Sequence, residues 1–245
     1  MPPEWTNETA IAQWETLPRD VVEAMDADGD FAKRHLVNPH LLRLLGPLDG
    51  RRVLDAGCGN GYLSRMLARA GADVVGVEPT EALCGYSRER EAELRQGITY
   101  VRAGLTSLPE DIGGPFDAVV CSMVLMAIPD WRPAMRACVE ALKPGGTFVF
   151  AVTHPAFENL SATWREHGEY RLDRYLDEYE MPSTYATDFH RPLSAYLNEA
   201  ADLGCRLREV VEPRLPAEAA DGVAGVAFGR LPNFLIVAVG REGAA

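Results

Sequence analysis

The chain has 245 residues, 47% of them hydrophobic, and carries 24 Lys and Arg against 36 Asp and Glu, a formal net charge of −12. That length allows one α/β domain with an elaboration and a sizeable buried core, and the composition excludes a disordered or low-complexity chain. The acidity, with no concentrated basic patch beside it, argues against a phosphate backbone as ligand, so no nucleic-acid partner is expected.

Residues 1–50 open on "MPPEWTNETA", which has neither the basic start nor the apolar centre of a secretory signal, and no apolar run in the chain approaches membrane-spanning length. The expectation is a cytoplasmic protein with no membrane partner. Trp5 and Trp14 accompany helix-like apolar spacing in "IAQWETLPRDVVEAM" and "HLLRLLG", which predicts a helical cap. Such a cap either packs on a sheet edge or folds over a ligand crevice.

From Arg52 onward, short β-rich runs alternate with helical stretches: "RRVLDA", "YLSRMLARA", "ADVVGVE", "TEALCGYSREREAELRQ", "ITYVRA". This is the grammar of right-handed βαβ units and a parallel sheet. Gly57, Gly59 and Gly61 fall at the first strand-to-helix junction, where an open parallel sheet presents its ligand crevice. Bare backbone there permits positive φ and close approach of a ligand, and the helix beginning at Tyr62 directs free amides to the same place, which suits a phosphate or a carboxylate. The spacing is G-x-G-x-G rather than the G-x-G-x-x-G of a nicotinamide site. Glu78, at the end of the second strand, can accept the vicinal hydroxyls of a ribose, which fits an adenosine ligand of either kind.

"FDAVVCSMV" reads as a fourth strand, "RPAMRACVEAL" as a helix stopped by "KPGG", and "TFVFAVT" as a fifth strand. After Thr153 the alternation breaks into a long aromatic and charged stretch without clear apolar period, of the sort that forms binding loops and lids. "PLSAYLNEAADLG" then predicts a helix, "CRLREVVEP" a sixth strand and "NFLIVAVG" a seventh, with the terminal "REGAA" frayed. Cysteines at 58, 84, 121, 138 and 205 form no C-x-x-C pair and are odd in number, so they read as reduced packing residues and no metal site is expected.

Four of these stretches, in order, resemble the class I S-adenosylmethionine-dependent methyltransferases, in particular the small-molecule branch of the type 11 group. "VLDAGCGNGYLSRMLA" resembles the first motif, "VVGVEPT" the ribose motif, "FDAVVCSMVLMAIPD" the fourth-strand motif and "ALKPGGTFVFAV" the turn into the fifth strand. The resemblance covers Leu41 to Thr153 strongly, and "HRPLSAYLNEAADLG" with "LPNFLIVAVG" more loosely. It implies an α/β fold: a Rossmann-like seven-stranded, mostly parallel sheet with helices on both faces, the last strand antiparallel, N-terminal helices, and a lid insertion between strands five and six. One domain follows, with 1–50 as helical cap, 51–153 as cofactor-binding core, 154–191 as lid and substrate insertion, and 192–245 as the C-terminal part of the sheet.

The resemblance also implies the cofactor, S-adenosylmethionine, leaving as S-adenosylhomocysteine. Its methionine part is expected along Asp55, Gly57 and Gly59, with Cys58, Gly61 and Tyr62 completing the cradle. The ribose falls to Glu78 with Pro79 behind it, and the sulfonium to the end of the fourth strand at Cys121 and Ser122. Where many relatives have an acid followed by a small residue for the adenine, this chain has Gly104 and Leu105, so the backbone near Leu105 and Thr106 is expected to hold that ring.

Methyl transfer from a sulfonium is an in-line displacement of an already activated leaving group, so the protein mainly aligns reactants and excludes water. His154, just past the fifth strand, and His190, closing the insertion, are the candidate bases, each weighed against a structural histidine bonded to backbone. Trp14, Met126 and Tyr185 are the expected substrate contacts, with Trp164 and Tyr170 as further lining aromatics. The expected activity is methylation of an oxygen, nitrogen or carbon of a small-molecule metabolite by a monomer or homodimer. The alternatives are a cyclase or other tailoring enzyme that uses the sulfonium charge, and a non-catalytic cofactor-binding protein.

Overall fold

A computed structural model of the protein describes residues 5–24, 28–219 and 227–243. The end of the helix-like stretch around residue 25 and the last two residues of the terminal segment read as frayed lie outside the described residues. Seven strands form one sheet in the order β3-β2-β1-β4-β5-β9-β8: β1 (Arg52–Ala56), β2 (Asp73–Val77), β3 (Thr99–Val101), β4 (Phe116–Ser122), β5 (Leu142–Thr153), β8 (Cys205–Val211) and β9 (Phe234–Arg241). The pairs among β1, β2, β3, β4 and β5 are parallel, whereas β9 runs antiparallel to both β5 and β8.

The central strands are apolar on both faces because helices cover both. Leu54, Val119, Phe148, Phe150 and Val237 face one core, which α6 (Trp131–Glu140) and α8 (Leu193–Asp202) close with Trp131, Met135, Tyr196 and Ala200. Their sequence neighbours Val53, Val120, Val149 and Ile236 face the other core, against Leu41 and Leu45 of α3 (Asn38–Leu45) and Leu63 and Leu67 of α4 (Tyr62–Arg69). A strand buried on two sides must read as a continuous apolar run, which is how "FDAVVCSMV" and "NFLIVAVG" read.

The expected stop at "KPGG" is absorbed into β5. Phe116 pairs with Leu142 and Ala118 with Thr147, so residues 143–146 bulge out between two adjacent pairings, with Gly145 at φ 78°. Residues 154–191 are not structureless: they hold α7 (Leu160–His167) and an antiparallel hairpin of β6 (Tyr179–Pro182) and β7 (Thr187–His190). Each strand is only four residues long, too short for its alternation to stand out, and on β6 the exposed positions are Glu180 and Pro182.

The N-terminal helices fold over the crevice rather than along a sheet edge. In α1 (Asn7–Glu15), Thr6 and Thr9 cap the first turn reciprocally, side chain to backbone. Asn7 Oδ1 accepts from Asp130 N at 2.9 Å, and Glu15 accepts from Glu81 N and Ala82 N at 2.8 and 3.2 Å, at the first turn of α5 (Glu81–Leu94). Leu17 and Val22 of the α1–α2 region, α2 being Arg19–Ala24, pack on Leu83 and Tyr86 of α5. Among the described residues, no helix is long and apolar enough to cross a membrane.

Candidate functional site

The turn after β1 is drawn down onto the end of β2. Gly57 N and Cys58 N both donate to Val77 O, at 2.8 and 2.9 Å, which bends the glycine loop over the crevice. Gly57, Gly59 and Gly61 all have positive φ, 77°, 55° and 77°. They differ in what they face. A Cβ on Gly57 would lie 2.6 Å from Val124, and one on Gly61 would lie 2.5 Å from the Tyr100 hydroxyl, whereas around Gly59 nothing lies within 4 Å. Gly59 is therefore the bare backbone turned to open space. Gly61, expected as a cofactor contact, is instead the N-cap of α4, packed onto Tyr100 and Ser87 behind the wall.

Two buried carboxylates stand beside this loop. Glu78 Oε2 accepts from Gly59 N at 3.2 Å, while Oε1 accepts from Thr80 N at 3.0 Å and Thr80 Oγ1 at 2.8 Å. The side chain thus fastens the glycine loop to the turn after β2, and one acceptor position on Oε2 stays open for a hydroxyl. Burial pushes its pKa up, against the hydrogen bonds from Thr80 and Gly59. Asp55 is 1% exposed and accepts from Ser64 Oγ at 2.6 Å. Burial pushes it up to about 7, opposed by the Ser64 bonds and reinforced by the charge of Glu78.

These groups wall a cavity of about 350 Å³ over the carboxyl ends of β1, β2 and β4. The lining includes Asp55, residues 57–60, Glu78, Pro79 and the Gly104–Thr106 turn after β3, together with Asn7, Ala10, Ile11 and Trp14 of α1, the Met126–Pro129 turn after β4, Asp188 of β7, and Phe234 at the start of β9. Tyr62 also lines the cavity and donates its hydroxyl to Asn38 Oδ1 at 3.2 Å. Met123, on the same wall, holds φ 60° while its N–H donates to Ala151 O at 2.8 Å, a strained conformation for a residue with a side chain.

Of the expected contacts, Asp55, Gly57, Cys58, Gly59, Tyr62, Glu78, Pro79, Leu105, Thr106, Ser122, Trp14 and Met126 line the cavity. The others lie elsewhere. The Cys121 side chain is fully buried on the far face of β4, its thiol against Cys138 in the core, because strand alternation turns Ser122 to the crevice and its neighbour away. Tyr185 is 44% exposed at the hairpin turn and is absent from the cavity wall. Trp164 stacks under Arg230, and Tyr170 donates its hydroxyl to Glu158 O at 3.1 Å.

Neither histidine faces the cavity. His154 is 4% exposed; its Nδ1 accepts from Ala156 N at 3.1 Å, so Nε2 donates to Glu212 at 2.7 Å, and the ring ties the end of β5 to the segment after β8. His190 is fully buried between Glu158 at 2.6 Å and Tyr175 O at 2.9 Å, stacked on Tyr179 with centroids 4.5 Å apart. Burial works against its charge, but the Glu158 carboxylate and the Tyr175 carbonyl hold its pKa above the ordinary value. When the ring is protonated both nitrogens donate, and the insertion then holds a buried cation between Glu158 and Tyr175.

Several wall residues were missed in the sequence. Asn60, 1% exposed, donates to Val22 O at 3.1 Å and accepts from Tyr62 N at 3.3 Å, joining the helical cap to the glycine loop. Asp30 and Lys33 pair with each other at 3.1 Å on the same wall. Of these, Asn60 alone had a readable clue, as a polar residue inside a glycine loop. The open cradle at Gly59, the two carboxylates beside it and the bare Gly104, with nothing within 4 Å of its Cβ direction, suit a ligand that combines a cationic amine, ribose hydroxyls and a flat base.

A family model described as "Methyltransferase domain" matches residues 54–150. The chain is 36% identical over 129 residues to the Ubiquinone biosynthesis O-methyltransferase of Methylococcus capsulatus, covering 51% of this chain and 54% of that protein. It is 34% identical over 182 residues to the protein of the same description from Xanthomonas campestris pv. campestris (strain B100), covering 71% and 73%. In several of these matches the chain spans about half the length of the curated relative. The crystal structure of an S-adenosylmethionine dependent methyltransferase from Mesorhizobium loti superimposes with a TM-score of 0.70 at 30% identity, covering 83% of this chain and 96% of that one.

Proposed function

The chain belongs to the class I S-adenosylmethionine-dependent methyltransferases, and from that premise we propose that it moves a methyl group from S-adenosylmethionine to a small-molecule metabolite in the cytoplasm. The observation that carries this reading is one cavity whose lining joins polar groups, Asp55, Gly59 and Glu78, to apolar side chains, Trp14, Ile11, Met126 and Ile128. When bound, the cofactor supplies an electrophilic methyl on a positively charged sulfur.

The protein's own contribution is placement and dryness. Asp55 and Glu78 offer negative charge to a cationic ligand in a low-dielectric wall, where each interaction is worth more than in water. Gly59 lets the ligand reach backbone, and Leu105 with the Gly104–Thr106 backbone covers the base. The cap helix α1, tied at both ends by Asn7 and Glu15, roofs the crevice, and the 154–191 insertion contributes Asp188 to the lining. Aligning two bound reactants can supply about 7–11 kcal/mol of the barrier without any base.

Neither the acidic surface nor the cavity, walled by four carboxylates, favours a nucleic-acid acceptor. The test is calorimetric titration with S-adenosylmethionine and S-adenosylhomocysteine, followed by mass spectrometry of a small-molecule panel incubated with the cofactor. Binding of both, with stoichiometric S-adenosylhomocysteine and a methylated product, is expected. Failure of the wild-type chain to bind either nucleoside would refute the reading.

A further inference from the structure

Among the described residues, four carboxylates reach the cavity wall: Asp30, Asp55, Glu78 and Asp188. Three are engaged. Asp30 pairs with Lys33, Asp55 accepts from Ser64, and Glu78 accepts from Gly59 and Thr80. Asp188 alone has no hydrogen bond or ion pair to its carboxylate among the described residues, although it is partly buried. Burial pushes it up to about 6; the negative charge of Glu158 adds to this and the positive charge of Arg191 opposes it.

Its position is held firmly. Arg191 donates to Leu125 O at 3.0 Å, Ile128 O at 2.7 Å and Pro129 O at 3.0 Å, which clamps the end of β7 onto the turn after β4. His190, between them in sequence, is locked by Glu158 and Tyr175. This carboxylate reaches the cavity from the insertion, next to the arginine that holds the 125–129 turn, and not from the glycine loop.

We propose, resting on the methyl-transfer reading above, that Asp188 is the base that faces the acceptor, and that the acceptor is a hydroxyl compound on a small apolar body. An amine at neutral pH would be held by this carboxylate as an ammonium ion, with no lone pair to attack. An anionic acceptor would meet three carboxyl groups without a lysine partner, since Lys33 of the lining is paired with Asp30. A hydroxyl both donates to the carboxylate and carries the proton that must leave. As the acceptor oxygen bonds to the methyl carbon, the carbon–sulfur bond breaks with its electron pair retained by sulfur. The hydroxyl proton passes to Asp188 and then to solvent, leaving a methyl ether and a neutral thioether. A carboxyl that titrates near neutrality suits this task.

The experiment uses the full chain loaded with S-adenosylhomocysteine and two probes, p-cresol and its methyl ether 4-methylanisole, titrated by calorimetry from pH 5 to pH 8. The wild-type protein is expected to prefer p-cresol at least tenfold at pH 8, with the preference shrinking below about pH 6 as Asp188 takes up a proton. D188A is expected to lose the preference while its affinity for S-adenosylhomocysteine stays within twofold. The isosteric D188N, which guards against misfolding, is expected to keep a preference that no longer varies with pH. Equal preference in wild type and D188A, or no p-cresol binding by the loaded wild type, overturns the role of Asp188. Failure of S-adenosylhomocysteine to bind overturns instead the reading on which it stands.

Discussion

Two parts of the cavity lining are built in opposite ways. The polar part around Glu78 comes from residues 55–60 and 78–80, two short loops at the ends of adjacent strands, cross-linked by Glu78 and by the paired amides on Val77 O. The part that holds most of the apolar side chains is assembled from α1, the turn after β4 and the start of β9, with Asp188 of β7 beside them, segments separated by up to more than two hundred positions. A ligand common to a large family can be gripped by local backbone geometry, whereas an acceptor particular to one chain is met by parts brought together only by folding.

Substitutions in each part should therefore behave differently. The largest effect is expected from Gly57→Ala, which forces an L side chain into φ 77° and places its Cβ 2.6 Å from Val124. Left-handed strain and overpacking cost roughly 1–3 kcal/mol each, so both the melting temperature and the S-adenosylhomocysteine affinity should fall together. A stable, tightly binding Gly57→Ala protein would show that the loop is less constrained than its contacts imply.

Next in size is the pH dependence of Asp55. Its folded pKa of about 7 lies above the ordinary carboxyl value, so the folded state holds the proton more tightly than the unfolded chain. The resulting stability is fully present below about pH 4 and is lost as pH rises through 7. Relative to D55N, the ligand-free wild type should lose on the order of 3 kcal/mol across that window, as read from denaturant midpoints.

The insertion gives a control away from the cavity. His190→Ala removes a charge-assisted bond to Glu158 and should cost about 2 kcal/mol of stability at pH 6. Because the folded pKa of His190 is raised, this contribution is present below about pH 6.5 and is lost as pH climbs through the folded value. Binding of S-adenosylhomocysteine should change little, since the ring does not reach the cavity; a selective loss of affinity at constant melting temperature would restore it to the site. The smallest effect belongs to Tyr185→Ala, at the exposed hairpin turn, expected within about 0.5 kcal/mol of wild type in stability and without change in probe binding.

The glycine run, the acid at 78 and the alternation of strands and helices were all legible because each is a local requirement. A left-handed backbone needs glycine, a strand buried on both faces needs unbroken apolar residues, and an acid that fastens the glycine loop must stand at the end of the adjacent strand. Cys121 shows the limit of the same reading: one position along a strand reverses the face, and the thiol went to the core beside Cys138 while Ser122 kept the crevice. The histidines failed for another reason. His154 and His190 stand where a base could stand in sequence, but Glu212, Glu158 and Tyr175 capture them through contacts 15 to 58 residues distant.

By itself the sequence determined the parallel sheet, the loop with its turn after β2, and with them the polar part of the lining, since these follow from backbone conformation and burial over spans of a few residues. Only the tertiary structure decided that α1 roofs the crevice, that the histidines serve as ties and that Asp188 stands free among the acids. Which side chain is satisfied and which is left open depends on partners remote in the chain, and that is set by packing rather than by pattern.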